Sequence, residues 1–419
     1  MPDPGRRDVF RVRGFVAFWA AYTVSGFGTY VTTLALQVLV LAGLGGTAID
    51  VGLINAARWL PYLLLGLVVG ALVDRRRRRP LLIGSDLGRA AVLMLIPVLF
   101  LMGVLGIPVL LAIVVVVGTL SLVGDAASQS LVPRIVPRGQ LVAAHARTDQ
   151  SDAVSQTAGP LVAGALVSLV GAAAAIMVDA ASYVFSAIAI WRVRVEEAPA
   201  RAVPASKLRG EIGEGLRWVY GHRVLGPMSI GTHAWFFFNS ILGTVFTTFA
   251  LLGLNLTAFQ LGVALAGAGI AALLGSSVSL RAGRRWGAGA VVIASNLVMV
   301  VGWTLIALAP ATADRWVVVT VLTLGQAFYG LGLGLSNANE MGYRQAVTPD
   351  ALQARTNTTI RSANRAMIVL GAPLGGVLAT AAGYRPALWV AIAGILAATA
   401  FLALSPFRTA RHAEDGVSD

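Results

Sequence analysis

Several ionisable residues fall within, or at the ends of, long apolar stretches of this 419-residue chain, among them Arg58, Asp125, Asp179, His233 and Glu340. Charge in apolar surroundings is costly to keep, so such residues either satisfy one another structurally or handle protons and ligands. For Arg58 and Asp179 both roles stay open. Asp125 and Glu340 either take up protons from one aqueous side or pair with Arg134 and Arg344. His233 is either a group that titrates near neutrality or a hydrogen-bonded interior residue. A second, neutral set is Thr29, Thr32, Thr33 and Gln37, which recur at helical spacing and can share a face. With Asn55, Trp235, Phe236, Phe238 and Asn239 they could line a cavity suited to an amphipathic or lipophilic ligand better than to a sugar phosphate. The alternative is that the phenylalanines face outward.

The elements that must position these groups are hydrophobic helices. The chain is 57% hydrophobic and 12% charged, with a mean hydropathy of +0.78; soluble domains carry about 25% charged residues. Twelve apolar runs, 15–41, 51–73, 81–102, 107–127, 150–170, 172–191, 227–252, 258–280, 288–309, 316–338, 359–380 and 386–405, are each near the ~17–25 residues that cross a bilayer. The predicted fold class is therefore an all-α membrane protein. The first run is too long for a signal-peptide core of about 7–15 residues and reads as a true span.

Several function classes fall away. The chain has no cysteine for a disulfide or thiolate site, no Gly-x-x-x-x-Gly-Lys-Ser/Thr phosphate loop, and no extramembrane domain to host enzyme chemistry. No cofactor and no metal are expected. The net charge of +13 suggests nucleic acid, but its distribution suggests lipid headgroups instead. With the N-terminus inside, Arg75 to Arg79, Arg134, Arg138, Arg192 through Arg223, Arg281, Arg284, Arg285 and Arg344 all face the cytoplasm. The tails add Arg6, Arg7, Arg11, Arg13, Arg408 and Arg411, and only Arg58, Arg315 and Arg385 remain towards the outside. Both termini are thus expected in the cytoplasm.

The longest hydrophilic stretch divides the spans six and six. The expected organisation is an N-terminal bundle (1–191), a cytoplasmic linker (192–225), a C-terminal bundle (226–407) and a tail (408–419). In the linker, 198–204 reads as flexible. Ser206 to His222 reads as an interfacial helix, with Leu208, Ile212, Leu216 and Val219 on one face. A weak repeat relates the halves: Val-Pro-Arg-Gly-Gln-Leu at 136–141 to Val-Thr-Pro-Asp-Ala-Leu at 347–352, and Gly159-Pro160 with Gly164 to Ala372-Pro373 with Gly375 and Gly376. Two similar halves around a central site are how many secondary transporters are built.

The motifs also carry a family resemblance. Gly70-Ala71-Leu72-Val73-Asp74-Arg75, followed by Arg76 to Arg79, resembles the loop between helices 2 and 3 of major facilitator superfamily transporters. Ala57-Arg58-Trp59-Leu60-Pro61, Asp86-Leu87-Gly88-Arg89-Ala90, Asp179-Ala180-Ala181-Ser182-Tyr183 and Glu214-Gly215-Leu216-Arg217 resemble the bacterial macrolide, siderophore and small-molecule exporters within it.

The resemblance implies two six-helix bundles around a central cavity and alternating access, in a monomeric protein of the bacterial inner membrane. It implies export of a small-molecule substrate, with protons as coupling ion; Asp125, Asp179 and Glu340 are the candidates to carry them. Thr33, Gln37, Asn55, Arg58, His233, Trp235 and Asn239 would contact substrate. Asp74 and Arg75, with Gly70, Asp86 and Arg89, would form a cytoplasmic latch. Gly159, Pro160 and Gly164 resemble an antiporter motif of span 5, or a helix-packing motif without directional meaning. The chain departs from the pattern at Arg77, where a glycine usually stands, and at Ser279, where the second half could carry an acid. It also has Thr29 where many relatives carry an acid, and no arginine within span 4. A nutrient importer or uniporter is the alternative transport reading, and a non-transporting membrane receptor or assembly factor is an alternative of another class.

Overall fold

The structure, a computed structural model, describes residues 9–74, 76–195 and 206–411. Among these residues every regular element is a helix. The elements are α1 Phe15–Val38, α2 Ala48–Asp74, α3 Arg78–Leu101, α4 Ile107–Ile135, α5 Leu141–Val170, α6 Ala172–Trp191 and α7 Ser206–Gly221. They continue with α8 Leu225–Thr248, α9 Ala258–Trp286, α10 Ala288–Ala307, α11 Arg315–Val347, α12 Gln353–Ala382 and α13 Tyr384–Leu404. All except α7 are long and apolar enough to cross a membrane, twelve in number.

Several helices overrun the apolar stretches that announce them. Helix α4 continues to Ile135, α5 starts at Leu141 and α12 at Gln353. The extensions are polar on average but place apolar residues on one face. Leu131, Val132 and Ala144 join Phe15, Phe18 and Val136 in one buried cluster, so packing keeps these turns helical where hydropathy falls. On the outer faces Leu101, Leu169 and Leu404 are more than four-fifths exposed, as lipid-facing side chains are.

The helices sort into two compact units. One holds α1 and, from Ala57 onward, the remainder of α2 through α6; the other holds the segment 46–56 and α7 onward. Within the second unit, Gly52 and Gly376 mark where the first turns of α2 meet α12: a Cβ at Gly52 would strike the Ala372 carbonyl and one at Gly376 the Ala48 carbonyl.

A repeat stronger than those above becomes visible once the helix ends are known. Helix α1 ends in a π turn, Leu39–Gly43, and α8 in a π turn, Phe249–Gly253. Each is followed by a residue in the left-handed region, Gly45 (φ 64°) and Asn255 (φ 51°), where glycine and asparagine are the residues best tolerated. Each then meets a threonine cap. Thr47 N donates to Asp50 Oδ2 at 2.7 Å, while Thr257 and Gln260 form a reciprocal capping box. The glycines that join α5 to α6 and α12 to α13, Gly171 (φ 83°) and Gly383 (φ 91°), are a further matching pair.

Helix α7 is held to the second unit. Glu214 pairs with Arg355, Gly215 sits against Arg355 and Thr359, and Val219 is fully buried with Leu225, Met228 and Ile360. The apolar face predicted to lie on lipid is therefore divided, with Val219 turned into protein and Leu216 43% exposed. The segment 198–204, for which flexibility is expected from sequence, lies outside the described residues, as do Arg6, Arg7 and Arg75.

Candidate functional site

The first unit encloses a cavity of about 440 Å³, within the ~300–1,000 Å³ of small-molecule sites. A smaller cavity of about 140 Å³ adjoins it and shares Thr29, Thr33, Arg58, Trp59, Arg89, Asp125 and Tyr183. Helix α1 supplies one wall at three-to-four spacing through Tyr22, Gly26, Thr29, Tyr30 and Thr33. Helices α2, α3, α4, α5 and α6 contribute Arg58, Arg89, Asp125, Asp152 and Tyr183.

The polar groups are matched in a definite way. Asp86, 1% exposed, pairs with Arg89 one turn on and accepts from Ser186 Oγ at 2.7 Å. The Arg89 guanidinium lies over the Tyr183 ring, 4.0 Å from its centroid. A buried ion pair survives its desolvation only with such extra partners. Asp179, also 1% exposed, accepts from Thr32 Oγ1 at 2.5 Å and from Ser182 at 3.1 Å. Arg58 Nη1 donates to Thr33 Oγ1 at 2.6 Å. Neighbouring threonines of α1 thus serve groups of opposite sign, and Arg58 and Asp179 are matched separately instead of with each other. Asp125 accepts from Tyr62 at 2.6 Å, and Asp152 from Tyr22 at 2.7 Å.

The cavities bring together Thr33, Arg58, Asp86, Arg89, Asp125 and Asp179 from the residues singled out by sequence. Others stand elsewhere. Gln37 lies one turn beyond Thr33, half-buried and off both cavity walls. Asn55 donates to Thr244 Oγ1 at 3.3 Å. His233 bridges Tyr220 at 2.9 Å and Asn364 at 2.7 Å. Trp235 packs edge-on to Phe236, and Asn239 is beside Tyr329. Glu340 accepts from Thr232 at 2.9 Å. Gly159 faces Tyr30, whose Cβ would lie 2.7 Å from an added methyl; Pro160 is inside α5 and Gly164 is buried beside it. Gly70 and Asp74 belong to the last turns of α2, but their side chains, like Arg75, lie outside the described residues.

Asp152, Tyr22, Tyr62 and Ser186 are not singled out by sequence reasoning. Asp152 stands at the polar edge of an apolar run, where an acid looks interfacial. The tyrosines read as ordinary aromatic content.

The comparisons with known proteins agree with this architecture. Residues 4–418 match the family described as transmembrane secretion effector, a major facilitator family. Among curated proteins, the multidrug efflux pump Tap of Mycolicibacterium fortuitum is 31% identical over 51% of this chain and 53% of its own length. Macrolide efflux protein A of Streptococcus pyogenes is 28% identical over 43% of this chain and 44% of its own. The matched region therefore spans about half the length of these relatives. Among solved structures, nucleoside transporter NupG superposes with a TM-score of 0.72 at 13% identity, covering 94% of this chain and 98% of that one. A bacterial homologue of ferroportin in an inward-facing state superposes with a TM-score of 0.72 at 14% identity, covering 96% and 100%. These two show a shared fold. By a match along nearly its whole length, the chain belongs to the transmembrane secretion effector family of major facilitator transporters and is a multi-pass membrane protein.

Proposed function

We propose that this protein exports amphipathic or lipophilic small molecules across the bacterial inner membrane by alternating access, as a monomer, with protons as the coupling ion. The observation that carries the reading is the first unit's cavity, which combines aromatic walls with ionisable groups inside a twelve-span chain. The direction is supported by the efflux names of the relatives. Proton coupling is supported by Asp125, Asp179 and Glu340. Each accepts a hydrogen bond from a hydroxyl instead of a cation, so each can take up a proton without breaking an ion pair. Thr33 and Arg58 contact cargo from the cavity wall. Gln37, Asn55, His233, Trp235 and Asn239 are left as candidates for contact in other states of the cycle. Gly70, Asp74 and Arg75, with Asp86 and Arg89, form the cytoplasmic latch, and the motif of Gly159, Pro160 and Gly164 serves antiport.

The test is uptake of a lipophilic dye into everted membrane vesicles whose interior is acid. Accumulation that collapses with a protonophore supports proton-driven export. Accumulation only in right-side-out vesicles would mean import. Reporter fusions at Gly106 and Arg79 are expected on opposite sides of the membrane, and a shared side would remove the N-in, C-in topology.

A further inference from the structure

The turn between α9 and α10 carries a concentration of positive charge to which the transport reading gives no task. Arg281, Arg284 and Arg285 occupy the last turns of α9, all exposed. Arg408 and Arg411, also exposed, are brought to the same turn by the segment that follows α13. That segment is fixed in place. Phe407 is fully buried and meets Tyr343 edge to face, with ring centroids 6.0 Å apart. The Ala410 carbonyl accepts from the Gly289 N–H at 3.1 Å. A Cβ at Gly289 would strike the Phe407 carbonyl, and one at Gly287, where φ is 86°, would lie 3.3 Å from Arg411 Cγ. A topology signal needs only the number of arginines on one side. It does not need a segment docked so that two of them stand beside three others.

No acid offsets this charge. Residues 258–307 and 384–411 contain neither Asp nor Glu, and among the described residues none of the five arginines is ion-paired. Like charges gathered in one place repel and work against the compact state, so the cluster favours an anion from outside the chain. The surface next to it narrows what that anion is. Leu274, Val278, Arg281 and Arg285 follow one another at spacings of four, three and four, along one face of α9. Leu274 and Val278 are exposed, on a helix long and apolar enough to span a bilayer. At its end Trp286 is exposed, with the Arg285 guanidinium 5.5 Å from its ring centroid. Such amphipathic rings gather at the boundary between membrane and water. An apolar row that runs into guanidinium groups beside an interfacial tryptophan matches a phospholipid, chain along the row and phosphate at its end.

From this juxtaposition we infer that the α9–α10 turn and the docked segment 405–411 bind an anionic phospholipid. Arg281 and Arg285 hold the phosphate, and Arg284, Arg408 and Arg411 supply the surrounding positive field. The inference is independent of the cargo and direction proposed above. A free phosphate would meet the same guanidiniums without using the apolar row, and a zwitterionic lipid would bring its own cation. The rival occupant is the chain's own acidic end, Glu414, Asp415 and Asp419.

The test follows thermal unfolding of the full chain, purified in detergent and stripped of lipid, as dioleoyl phosphatidylglycerol or dioleoyl phosphatidylcholine is added. Bound lipid is counted by native mass spectrometry. Phosphatidylglycerol should be retained, and should raise the unfolding temperature, at concentrations where phosphatidylcholine does neither. Arg281→Gln with Arg285→Gln should weaken its retention by about tenfold, and the corresponding pair of lysines should keep most of it. Arg408→Gln with Arg411→Gln should also weaken it, which tests the docked segment separately should the first pair fail to fold. Arg11→Gln with Arg13→Gln removes the same charge from exposed positions of the first unit and should leave retention unchanged. Equal retention of the two lipids overturns the inference. So does an equal loss in the first-unit pair, which would mean a general effect of charge. Stabilisation by inorganic phosphate as large as that by the lipid would make the site one for soluble anions. Retention that appears only in a chain cut after Ala413 would give the site to the acidic end. Either result also overturns it.

Discussion

His233 and Asn364 meet across 2.7 Å at the place in the second unit where Thr23 and Ser151 meet, at 2.8 Å, in the first. Aligning the two π turns, Gly43 on Gly253, brings Thr23 onto His233. Aligning the helix prolines, Pro160 on Pro373, brings Ser151 onto Asn364. The repeat has thus kept a polar clasp between its first and fifth helices while changing the chemistry of the pair. In the second unit Nδ1–H donates to the asparagine carbonyl, and Nε2 accepts from the Tyr220 hydroxyl of α7. The imidazole fastens the linker helix to the bundle.

His233→Ala is accordingly expected to leave both Tyr220 and Asn364 without their partner and to cost about 1–3 kcal/mol. A double-mutant cycle with Asn364→Ala, read by thermal unfolding of the purified protein, is expected to show a coupling of about 0.5–3 kcal/mol. Strict additivity would mean that the clasp contributes nothing.

A pH dependence is expected at the same junction, outside the membrane. His222 Nδ1 accepts from the backbone N–H of Val224 at 3.2 Å and of Leu225 at 3.0 Å, capping the start of α8. Only the unprotonated nitrogen can do this, and burial lowers the histidine's pKa from its ordinary value. The neutral form is therefore the one the fold binds. Its contribution is complete above the ordinary pKa near 6.5 and is lost as the pH falls through the lower folded value. Unfolding scans between about pH 7.5 and 5 should show the parent losing stability in that acidic window. His222→Asn, which caps without titrating, should lose less. Identical curves would show that the cap does not matter.

The twelve helices were legible because an apolar run of membrane length is seldom anything but a span, and the charge asymmetry added an expected direction. The site was legible only in part. Arg58 and Asp179 stand out because they interrupt apolar sequence, whereas Asp152 and Tyr22 do not, since pairing between α1 and α5 is a tertiary fact with no local signature. The arginine run likewise reads as uniform, yet its members differ. Arg79 donates to the carbonyls of Ile190 and Trp191 and so caps the end of α6, while Arg77 is exposed. The repeat around Gly43 and Gly253 is present in the sequence as Ala42-Gly43-Leu44 and Leu252-Gly253-Leu254, each followed after two residues by Thr-Ala. Its meaning needed the π turns to be seen.

Gly159 offers a packing test that separates the two readings of the antiporter-like motif. An added methyl would lie 2.7 Å from Tyr30 Cβ and 2.8 Å from its Cγ, atoms that cannot swing aside as the end of a long side chain can. Gly159→Ala should therefore push α1 from α5 and cost about 1–3 kcal/mol of stability. If the variant has parental unfolding but slower transport, the motif acts in the transport cycle. If stability and transport fall together, it is a packing contact.

The Asp86–Arg89 pair sets the last expectation. Both side chains are more than nine-tenths buried, and their further partners, Ser186 and the Tyr183 ring, are fixed on α6. Removing one partner leaves an uncompensated buried charge, for which about 3–5 kcal/mol is typical, while removing both can be nearly neutral. Arg89→Met alone should therefore lower the amount of folded protein in the membrane sharply. Asp86→Asn should do so less, because an amide oxygen still accepts from Ser186. The double variant should recover much of the loss in yield and unfolding temperature. If recovery of folding also restored dye transport in everted vesicles, the pair would be purely architectural. If the double variant folds but does not transport, then the charges themselves take part in the cycle, as their position on the cavity wall suggests.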